Sequence, residues 1–480
     1  MPSYFCKECG YETNVWAGKC PVCNSWSSFV ETTRITKKKG KADKLSLIDI
    51  KNDAIPLSKV QVSEYPRIKT GINEFDTVLG GGIVPGMVAL IGGEPGIGKS
   101  TIMMQIALKL VHNISQSKKF KVLYVSGEES PEQIYLRSKR LSTDFQNDKK
   151  DLNDIKPLLS DDIFLLCTND TEQILDKIKI FTEQFKNEFC VVVIDSIQSV
   201  YLTSLDNYPG SVTQIRECAG LFTQTAKKLN IPIFMIGHVN KDGFVAGPKI
   251  LEHIVDTVLY FEGEVNNQFK ILRTTKNRFG STNEIGLFEM TDSGLKEVIN
   301  PSEIFIMHRN SFPGTAISCV VEGTRAFLIE IQALVTPTSY GNAQRVSVGF
   351  DQKRLSLLLA VIDKHLGINM KEFDVFINLT GGIKIIDTSV DLAIISAIIS
   401  SIRNVDLPEK SLFMGEIALN GDVRNINQLD KRLKEAIKLG YQRCYLSSNF
   451  NKLNKLSKDK IHKIEIIKMS CIKEIISIFL

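Results

Sequence analysis

The residues with the most specific chemistry are Gly93-Glu94-Pro95-Gly96-Ile97-Gly98-Lys99-Ser100, which complete the pattern GxxxxGKS. The segment follows an apolar run at 87–91 and precedes a run with helical periodicity from Thr101 to Val111. Backbone N–H groups in such a loop converge on phosphate oxygens at the positive end of the helix. Lys99 would neutralise the β- and γ-phosphates, and the Ser100 hydroxyl would hold Mg²⁺. The sequence predicts a nucleoside triphosphate site with contacts along the whole loop: Gly93, Glu94, Pro95, Gly96, Ile97, Gly98, Lys99, Ser100 and Thr101.

Two carboxylates at the ends of other apolar runs are placed to complete a hydrolytic site. Asp195 ends the strongest of these runs, and at the carboxyl edge of a parallel sheet it would lie beside the loop and hold magnesium. Glu128 is predicted to activate the attacking water, with Glu129 as the second choice. The alternative is a position ahead of a helix that begins near Ser130, and for Glu129 this alternative is favoured.

His238 follows a third apolar run and is the candidate sensor of the γ-phosphate. It would relay the loss of that phosphate to the loop at 239–248. A lone histidine is more often structural than functional, so this prediction depends on the family resemblance given below.

Four of the ten cysteines, Cys6, Cys9, Cys20 and Cys23, form two CxxC pairs within the first two dozen residues. In a cytosolic chain this spacing favours a four-thiolate zinc site over a disulfide framework. A redox dithiol is the competing interpretation. A segment this short would need the metal in order to fold.

The composition excludes several classes of protein. Of the 480 residues, 43% are hydrophobic and 24% are charged, an ordinary balance for a globular chain of two or three domains. No apolar span is long enough to cross a membrane and the start has no signal-peptide pattern, so a cytoplasmic location is predicted. A net charge of +5 does not establish a nucleic-acid partner, and the lysine-rich stretch within 31–60 indicates a linker.

From 68 to 298 the sequence alternates strand-like and helix-like runs, which predicts an α/β fold with a parallel sheet and crossover helices. The predicted strands are 87–91, 121–126, 163–167, 190–194, 233–236, 258–261 and 270–274. A second region, from about Glu303 onward, mixes strands (327–331, 375–379) with amphipathic helices (352–365, 390–402, 428–438) and has no second phosphate loop.

The order of these motifs resembles the RecA-type ATPase core, and Lys276-Asn277-Arg278-Phe279-Gly280 makes the resemblance closer. KNRFG is the hallmark of the bacterial RadA (Sms) family. The four-cysteine finger, the loop GGEPGIGKS, Ser126-Gly127-Glu128-Glu129-Ser130, the segment 193–198 and Gly237-His238-Val239 occur in that family's order, so the resemblance covers nearly the whole chain. The predicted division is a zinc finger at 1–30, a basic linker at 31–60, a RecA-like P-loop ATPase domain at 61–298 and a Lon-protease-like α+β domain at 299–480.

The resemblance implies a DNA-dependent ATPase that uses ATP, Mg²⁺ and Zn²⁺. It further implies a ring, with a hexamer expected, that binds single-stranded and branched DNA, drives branch migration in recombination and repair, and works with the RecA recombinase. Lys276 and Arg278 are implied to reach the ATP of a neighbouring subunit and to act there as arginine-finger-like catalytic groups. The alternative is that both contact DNA phosphates directly.

The C-terminal region resembles the proteolytic domain of Lon, which uses a serine–lysine dyad. The segment 381–393 places Ser389 near the serine position, and the segment after 415 places Asp430 at the lysine position with Lys431 displaced. A serine that faces a carboxylate lacks the activating amine, so an inactive protease kept as a scaffold is expected. The domain is expected to serve ring assembly and duplex-DNA contact, with Arg345, Lys353, Arg354, Lys431 and Arg432 as candidate DNA cations.

Three functions remain open at this point. The favoured one is an ATP-driven DNA motor, and the alternative is an ATP-gated module that loads or stabilises a recombinase on DNA without moving strands. A Lon-type protease is the third, and the missing lysine argues against it.

Overall fold

The computed structural model describes residues 3–6, 12–13, 15–21, 26, 29–32, 66–112, 119–142, 160–238, 251–263, 268–306, 312–338, 341–380, 385–449 and 464–479. The predicted linker and the loop at 239–248 lie almost wholly outside these ranges. None of the described helices is long and apolar enough to cross a membrane.

The N-terminal module is a small antiparallel sheet of three strands in the order β2–β1–β3. The strands are β1 (Ser3–Cys6), β2 (Glu12–Thr13) and β3 (Phe29–Thr32). Of the four predicted zinc ligands, Cys6 lies on β1 and Cys20 is fully buried. Cys9 and Cys23 lie outside the described residues. No cluster of three metal-binding side chains occurs among the residues that are described.

A nine-stranded sheet forms the central part of the molecule, in the order β12–β11–β10–β9–β4–β8–β7–β5–β6. Its strands are β4 (Val88–Gly93), β5 (Phe120–Ser126), β6 (Ile163–Cys167), β7 (Phe189–Asp195), β8 (Ile233–His238), β9 (Thr257–Glu262), β10 (Phe269–Asn277), β11 (Ile285–Thr291) and β12 (Gly294–Glu297). All seven strands predicted in this region are present, with ends shifted by up to three residues.

The predicted parallel sheet is present from β6 to β9, and the last part of the sheet is antiparallel. The six strands from β6 to β9 run parallel, whereas β10, β11 and β12 each pair antiparallel with their neighbour. The connection from β9 to β10 spans only 263–268, and a link this short makes a hairpin because a parallel crossover needs a dozen or more residues. This reversal decides where the end of β10 lies.

Helices cover both faces of the sheet, as the apolar character of the central strands requires. They are α1 (Asn73–Val78), α2 (Lys99–His112), α3 (Pro131–Ser142), α4 (Thr171–Gln184) and α5 (Val212–Leu229). One core packs α1 and α2 against the sheet, and a second core packs α4 and α5 against the opposite face. Side-chain caps start α4 at Asp170 and α5 at Ser211.

The C-terminal region packs around a four-stranded sheet, in the order β13–β14–β16–β15, and its larger core continues onto β10 and β11 through Ile271, Ile285 and Leu287. After α6 (Pro301–Phe305), the strands are β13 (Thr315–Glu322), β14 (Arg325–Pro337), β15 (Arg345–Val348) and β16 (Phe373–Leu379). The other elements are α7 (Gln352–Leu366), α8 (Asp391–Arg403), β17 (Ser411–Met414), β18 (Glu416–Ile417), β19 (Val423–Arg424), α9 (Leu429–Lys438), β20 (Arg443–Ser447), β21 (Glu465–Met469) and a 3₁₀-helix (Ile472–Phe479). The predicted strands and helices of this region are all present.

Candidate active site

The phosphate loop joins β4 to α2 at the carboxyl edge of the sheet. Gly93, Gly96 and Gly98 have φ angles of 153°, 77° and 114°, a region that favours glycine. A Cβ on Gly98 would come within 2.8 Å of Met290 Cε, the mobile end of a side chain, so it is mainly the backbone conformation that favours glycine there. The loop therefore keeps its backbone N–H groups free of side chains that would block the approach of a phosphate.

Lys99 is the first residue of α2, and its side chain folds back over the loop. Its ammonium donates to the carbonyls of Gly93 and Glu94, each at 2.8 Å, and the residue is only 4% exposed. Burial lowers the pKa of Lys99 to about 8, against the opposing charges of Asp195 and Glu128. The cation lies where the β- and γ-phosphates of a loop-bound nucleotide are held.

Asp195 ends β7 at the same edge as the loop. The side chain is 8% exposed, and its Oδ2 accepts a hydrogen bond of 2.6 Å from the hydroxyl of Tyr124 on β5. Burial, followed by the charge of Asp195, raises the pKa of Tyr124 well above its usual value. Tyr124 therefore stays protonated and fixes the orientation of the carboxylate.

Glu128 follows β5 and faces Ser196 and His238 across the carboxyl edge. The Ser196 hydroxyl donates to Glu128 Oε1, and His238 Nε2 lies 3.4 Å from the same oxygen. The hydrogen bond with His238 is the main reason that the pKa of Glu128 falls to about 2; burial opposes the shift and Ser196 supports it. Held in this way, the carboxylate is ionised but is a weak base at neutral pH.

Glu129 points away from this group. Its carboxylate pairs with Arg137 on α3, and its backbone N–H donates to the Ser126 hydroxyl at 3.0 Å. The interpretation of Glu129 as a residue ahead of the helix agrees with this geometry.

His238 ends β8 directly beside the loop, because Gly93 and His238 are partners in the parallel ladder. Its carbonyl accepts 3.1 Å from Gln198 Nε2. Its Nδ1 is buried and has no hydrogen-bond partner among the described residues. The histidine is therefore held by Glu128 on one side while its second ring nitrogen is left unpaired.

Lys276 and Arg278 lie at the opposite edge of the sheet. Because β10 runs antiparallel to β9, Lys276 pairs with Val258 and Asn277 with Thr257, near the start of β9. Thr257 in turn pairs with Ala89 near the start of β4. Val88 begins β4 at this edge, and the five residue steps from Val88 to Gly93 of the phosphate loop span about 16 Å. The structure does not bring these two cations to the loop of their own chain.

The two cations are held differently at that edge. Lys276 Nζ donates to the carbonyls of Glu252 and Val255, the latter at 2.9 Å, and burial together with the charge of Arg278 lowers its pKa. Arg278 Nη1 donates 3.1 Å to the buried Asp256, yet the side chain is 52% exposed. Arg278 is thus anchored at one nitrogen and open to solvent elsewhere.

The sequence matches known families over most of its length. The ATPase family described as KaiC matches residues 68–300, a rubredoxin metal binding domain matches 4–31, and the family described as subunit ChlI of Mg-chelatase matches 344–449. The DNA repair protein RadA of Halalkalibacterium halodurans is 44% identical over 447 residues, which is 92% of each chain. The chain belongs to the RadA family. The Bacillus subtilis RadA protein is 43% identical over 448 residues, again 92% of each chain.

A solved structure of the RadB recombinase is similar to 48% of this chain and 99% of that chain, with 24% identity and a TM-score of 0.36. The RadA family membership and the family matches agree with the predicted architecture. The chain has an N-terminal zinc ribbon, a RecA-like ATPase domain and a Lon-like C-terminal domain.

In the Lon-like domain of this RadA family member, the expected partner of Ser389 is wrong. Ser389 is fully buried, and its Oγ accepts a hydrogen bond of 2.7 Å from Arg432 on α9, not a contact from Asp430. The Arg432 guanidinium also donates 2.6 Å to Asp387 Oδ2 and is itself 3% exposed. Arginine stays protonated and cannot take a proton from serine, so this pair lacks the general base of a serine–lysine dyad.

Arg432 was one of five cations expected on a DNA-contacting surface, and that expectation is wrong for this residue. Arg354 pairs with the buried Asp391, and Arg345 donates to the carbonyls of Met370 and Phe373. Lys353 and Lys431 are the two members of the set that are exposed.

Three residues of the RadA ATPase site were not assigned a role from the sequence: Tyr124, Ser196 and Asp256. Tyr124 lies within an apolar strand, and Asp256 lies in a stretch with no motif, so neither carries a local signal. Ser196 directly follows the magnesium candidate Asp195, and that position was the one available indication.

Proposed function

We propose that this protein is a DNA-dependent ATPase that works as a ring-shaped motor on single-stranded DNA and promotes branch migration in recombination and repair. One observation carries the proposal: the catalytic groups are divided between opposite edges of the sheet. Lys99, Glu128 and Asp195 lie at the loop edge, whereas along the strands Arg278 lies about 16 Å away and Lys276, in register with Leu90, about 10 Å away. A site of this kind is complete only where one subunit presents its cations to the loop of the next. The curated relatives named DNA repair protein RadA support a DNA substrate.

Each residue at the loop edge has a proposed role in ATP hydrolysis. Lys99 leaves the loop carbonyls and pairs with the β- and γ-phosphates, while backbone N–H groups from Gly93 to Thr101 hold phosphate oxygens. Ser100 and Asp195 would hold Mg²⁺, and Tyr124 orients the carboxylate. Bound Mg²⁺ would supply charge neutralisation at the phosphates. The residues present fit this assignment, because a glycine cradle, a buried ammonium and a fixed carboxylate meet at one edge.

Glu128 and His238 form the proposed switch of the site. In the free chain His238 lowers the basicity of Glu128. A γ-phosphate that accepts the His238 N–H would draw the histidine away, which raises the pKa of Glu128 and lets it accept a proton from water. Loss of the phosphate returns His238 to Glu128. This exchange would signal the nucleotide state to the segment that follows β8.

Arg278 and Lys276 are proposed to stabilise the charge that develops on the transferred phosphoryl group of the neighbouring subunit. A hexamer is the proposed ring, and the RecA recombinase is the proposed partner.

The four cysteines at 6, 9, 20 and 23 are proposed to hold one Zn²⁺. Metal analysis of the purified chain tests the last point: one zinc per chain is expected, and Cys20→Ala should lose it, whereas an equal zinc content in the two proteins contradicts the assignment.

Branch migration on a synthetic three-strand junction tests the motor. We expect single-stranded DNA to raise ATP turnover and hydrolysable ATP to drive strand movement. Lys99→Ala should abolish both activities. Lys109→Ala is the matched control, because Lys109 lies on the same helix and donates to Gly71 O, outside the loop.

Two results would contradict the motor. Strand movement that persists in Lys99→Ala would refute it directly. ATP-dependent DNA binding by the wild type without any strand movement would instead favour the recombinase-loading module.

A further inference from the structure

Asp256 is a buried carboxylate at the edge opposite the phosphate loop, where it hydrogen-bonds both to Val88, the first residue of β4, and to Arg278. Its side chain is 4% exposed. Toward β4, its N–H donates 2.9 Å to the Val88 carbonyl, and its Oδ2 accepts 3.2 Å from the Val88 N–H. Toward the end of β10, its carbonyl accepts 3.1 Å from the Arg278 N–H, and its Oδ1 accepts 3.1 Å from Arg278 Nη1.

Asp256 makes two hydrogen bonds to Val88 and two to Arg278. Backbone and side-chain bonds together restrict both the position and the orientation of the guanidinium relative to Val88. A charge-assisted hydrogen bond from a buried carboxylate is stronger than a bond between neutral groups, and burial excludes the water that would compete for it. Arg278 is thus held by its backbone and one nitrogen, while about half of its side chain remains exposed.

Val88 is the first residue of β4, and β4 ends at Gly93, the first residue of the phosphate loop. The strand is buried throughout and is hydrogen-bonded to β8 and β9, so the phosphate loop and Val88 are the two ends of one rigid element. A shift of the loop along β4 would therefore reach Val88 and, through Asp256, Arg278.

We propose that Asp256 is the positioning residue that aims Arg278 at the triphosphate of the neighbouring subunit and couples it to the phosphate loop of its own chain. This inference rests on the proposed trans role of Arg278. Asp256 itself does not touch the reacting atoms.

Asp256→Asn tests the proposal, because the amide keeps the size of the side chain but replaces one acceptor with a donor. Either Val88 N–H or Arg278 Nη1 then loses its acceptor. We expect kcat for ATP to fall about 10²-fold, the loss typical of a catalytic group displaced by about 1 Å. The Kd for a non-hydrolysable ATP analogue should be unchanged, because the loop of the same chain is intact. Lys227→Gln is the matched control. Lys227 Nζ lies 3.6 Å from the same Asp256 Oδ1, but its side chain is 53% exposed and it is not part of the link between Val88 and Arg278. The kcat of this variant should therefore stay near the wild-type value.

Mixed rings separate a positioning role from a merely structural one. Asp256→Asn has an intact loop and a misdirected Arg278, whereas Lys99→Ala has a defective loop and an intact Arg278. Each alone should be nearly inactive. Co-expressed at equal levels, they should form a working junction at about one interface in four and recover a corresponding share of wild-type turnover.

The outcomes distinguish this inference from the proposed function. A weaker Kd with unchanged kcat, or a mixture no more active than its components, would overturn the role of Asp256. The same mixing with Arg278→Ala in place of Asp256→Asn tests the trans role itself. If Arg278→Ala complements Lys99→Ala and Asp256→Asn does not, only the inference about Asp256 fails; if neither complements, the trans role fails as well.

Discussion

The Lys99 ammonium should make ATP binding depend on pH in a range where most lysines do not titrate. Burial lowers its pKa to about 8, and the carboxylates of Asp195 and Glu128 offset that shift only in part. A bound triphosphate requires the charged form and holds it charged. The protonated enzyme is therefore the form that binds, so affinity for ATP should fall as the pH rises through about 8, and binding above that pH should take up a proton.

The size of the effect follows from the fraction of Lys99 that is protonated. With a pKa of about 8, roughly nine molecules in ten carry the charge at pH 7 and roughly one in eleven at pH 9. The Kd should be about twofold higher at pH 8 and about tenfold higher at pH 9, a change of about 1.4 kcal/mol. An unperturbed lysine, which titrates near 10.4, would leave the Kd almost constant over the same interval.

Titration calorimetry with a non-hydrolysable ATP analogue measures both the Kd and the number of protons taken up on binding. Buffers of different ionisation enthalpy should report proton uptake that approaches one per site at pH 9. Lys99→Ala should bind the analogue more weakly at neutral pH, and its Kd should not rise between pH 7 and pH 9. A wild-type Kd that is equal at pH 7 and pH 9 would refute the reasoning, and so would the same tenfold rise in Lys99→Ala.

Two further substitutions test single contacts. Tyr124→Phe removes the hydroxyl that orients the proposed magnesium carboxylate, so we expect unfolding free energy to fall by about 1.5–3 kcal/mol and half-maximal turnover to need about tenfold more Mg²⁺. Tyr208→Phe, at an 88% exposed position, should change neither quantity. Arg432→Met should cost about 3–5 kcal/mol in urea unfolding at neutral pH, because Asp387 is left without its partner, whereas Lys431→Met on the same helix should cost less than 1 kcal/mol. Burial would raise the pKa of Asp387, but the Arg432 charge and backbone N–H groups lower it. The loss of unfolding free energy in Arg432→Met should therefore shrink as the pH falls below about 4 and Asp387 becomes protonated. A loss that is independent of pH would contradict the ion pair.

Much of the loop edge was predictable because its signals are local. GxxxxGKS is a contiguous motif, and carboxylates directly after apolar strands meet at one edge whenever those strands run parallel. Strand assignment therefore placed Lys99, Glu128 and Asp195 at one edge, and His238 was added through the family resemblance.

The contacts that tune these groups were not predictable in the same way. Tyr124 reaches Asp195 from 71 residues away, and it is a tyrosine in an ordinary apolar strand until β5 and β7 are neighbours. The register between strands decides such pairs, and no local pattern encodes it.

The partner of Ser389 in the Lon-like domain was predicted wrongly from a motif alignment. Alignment of short motifs placed Asp430 opposite Ser389, yet the side chain that arrives there is Arg432, two positions along α9. On a helix, two residues correspond to a rotation of about 200°, so a small error in alignment exchanges one face for the other. The group beside Ser389 Oγ is thus a guanidinium, whereas the alignment expected a carboxylate.

By itself, the sequence determined the ligand class, the side chains that meet at the loop edge, the order of the elements and the family, because each depends on contiguous residues or on strand periodicity. Only the tertiary structure decided that β10 turns antiparallel and carries Lys276 and Arg278 to the edge opposite the loop. The same holds for Asp256, whose partner Val88 is 168 residues away in the chain. Contacts of that range are created by strand pairing and burial, and they exist only once the sheet is assembled.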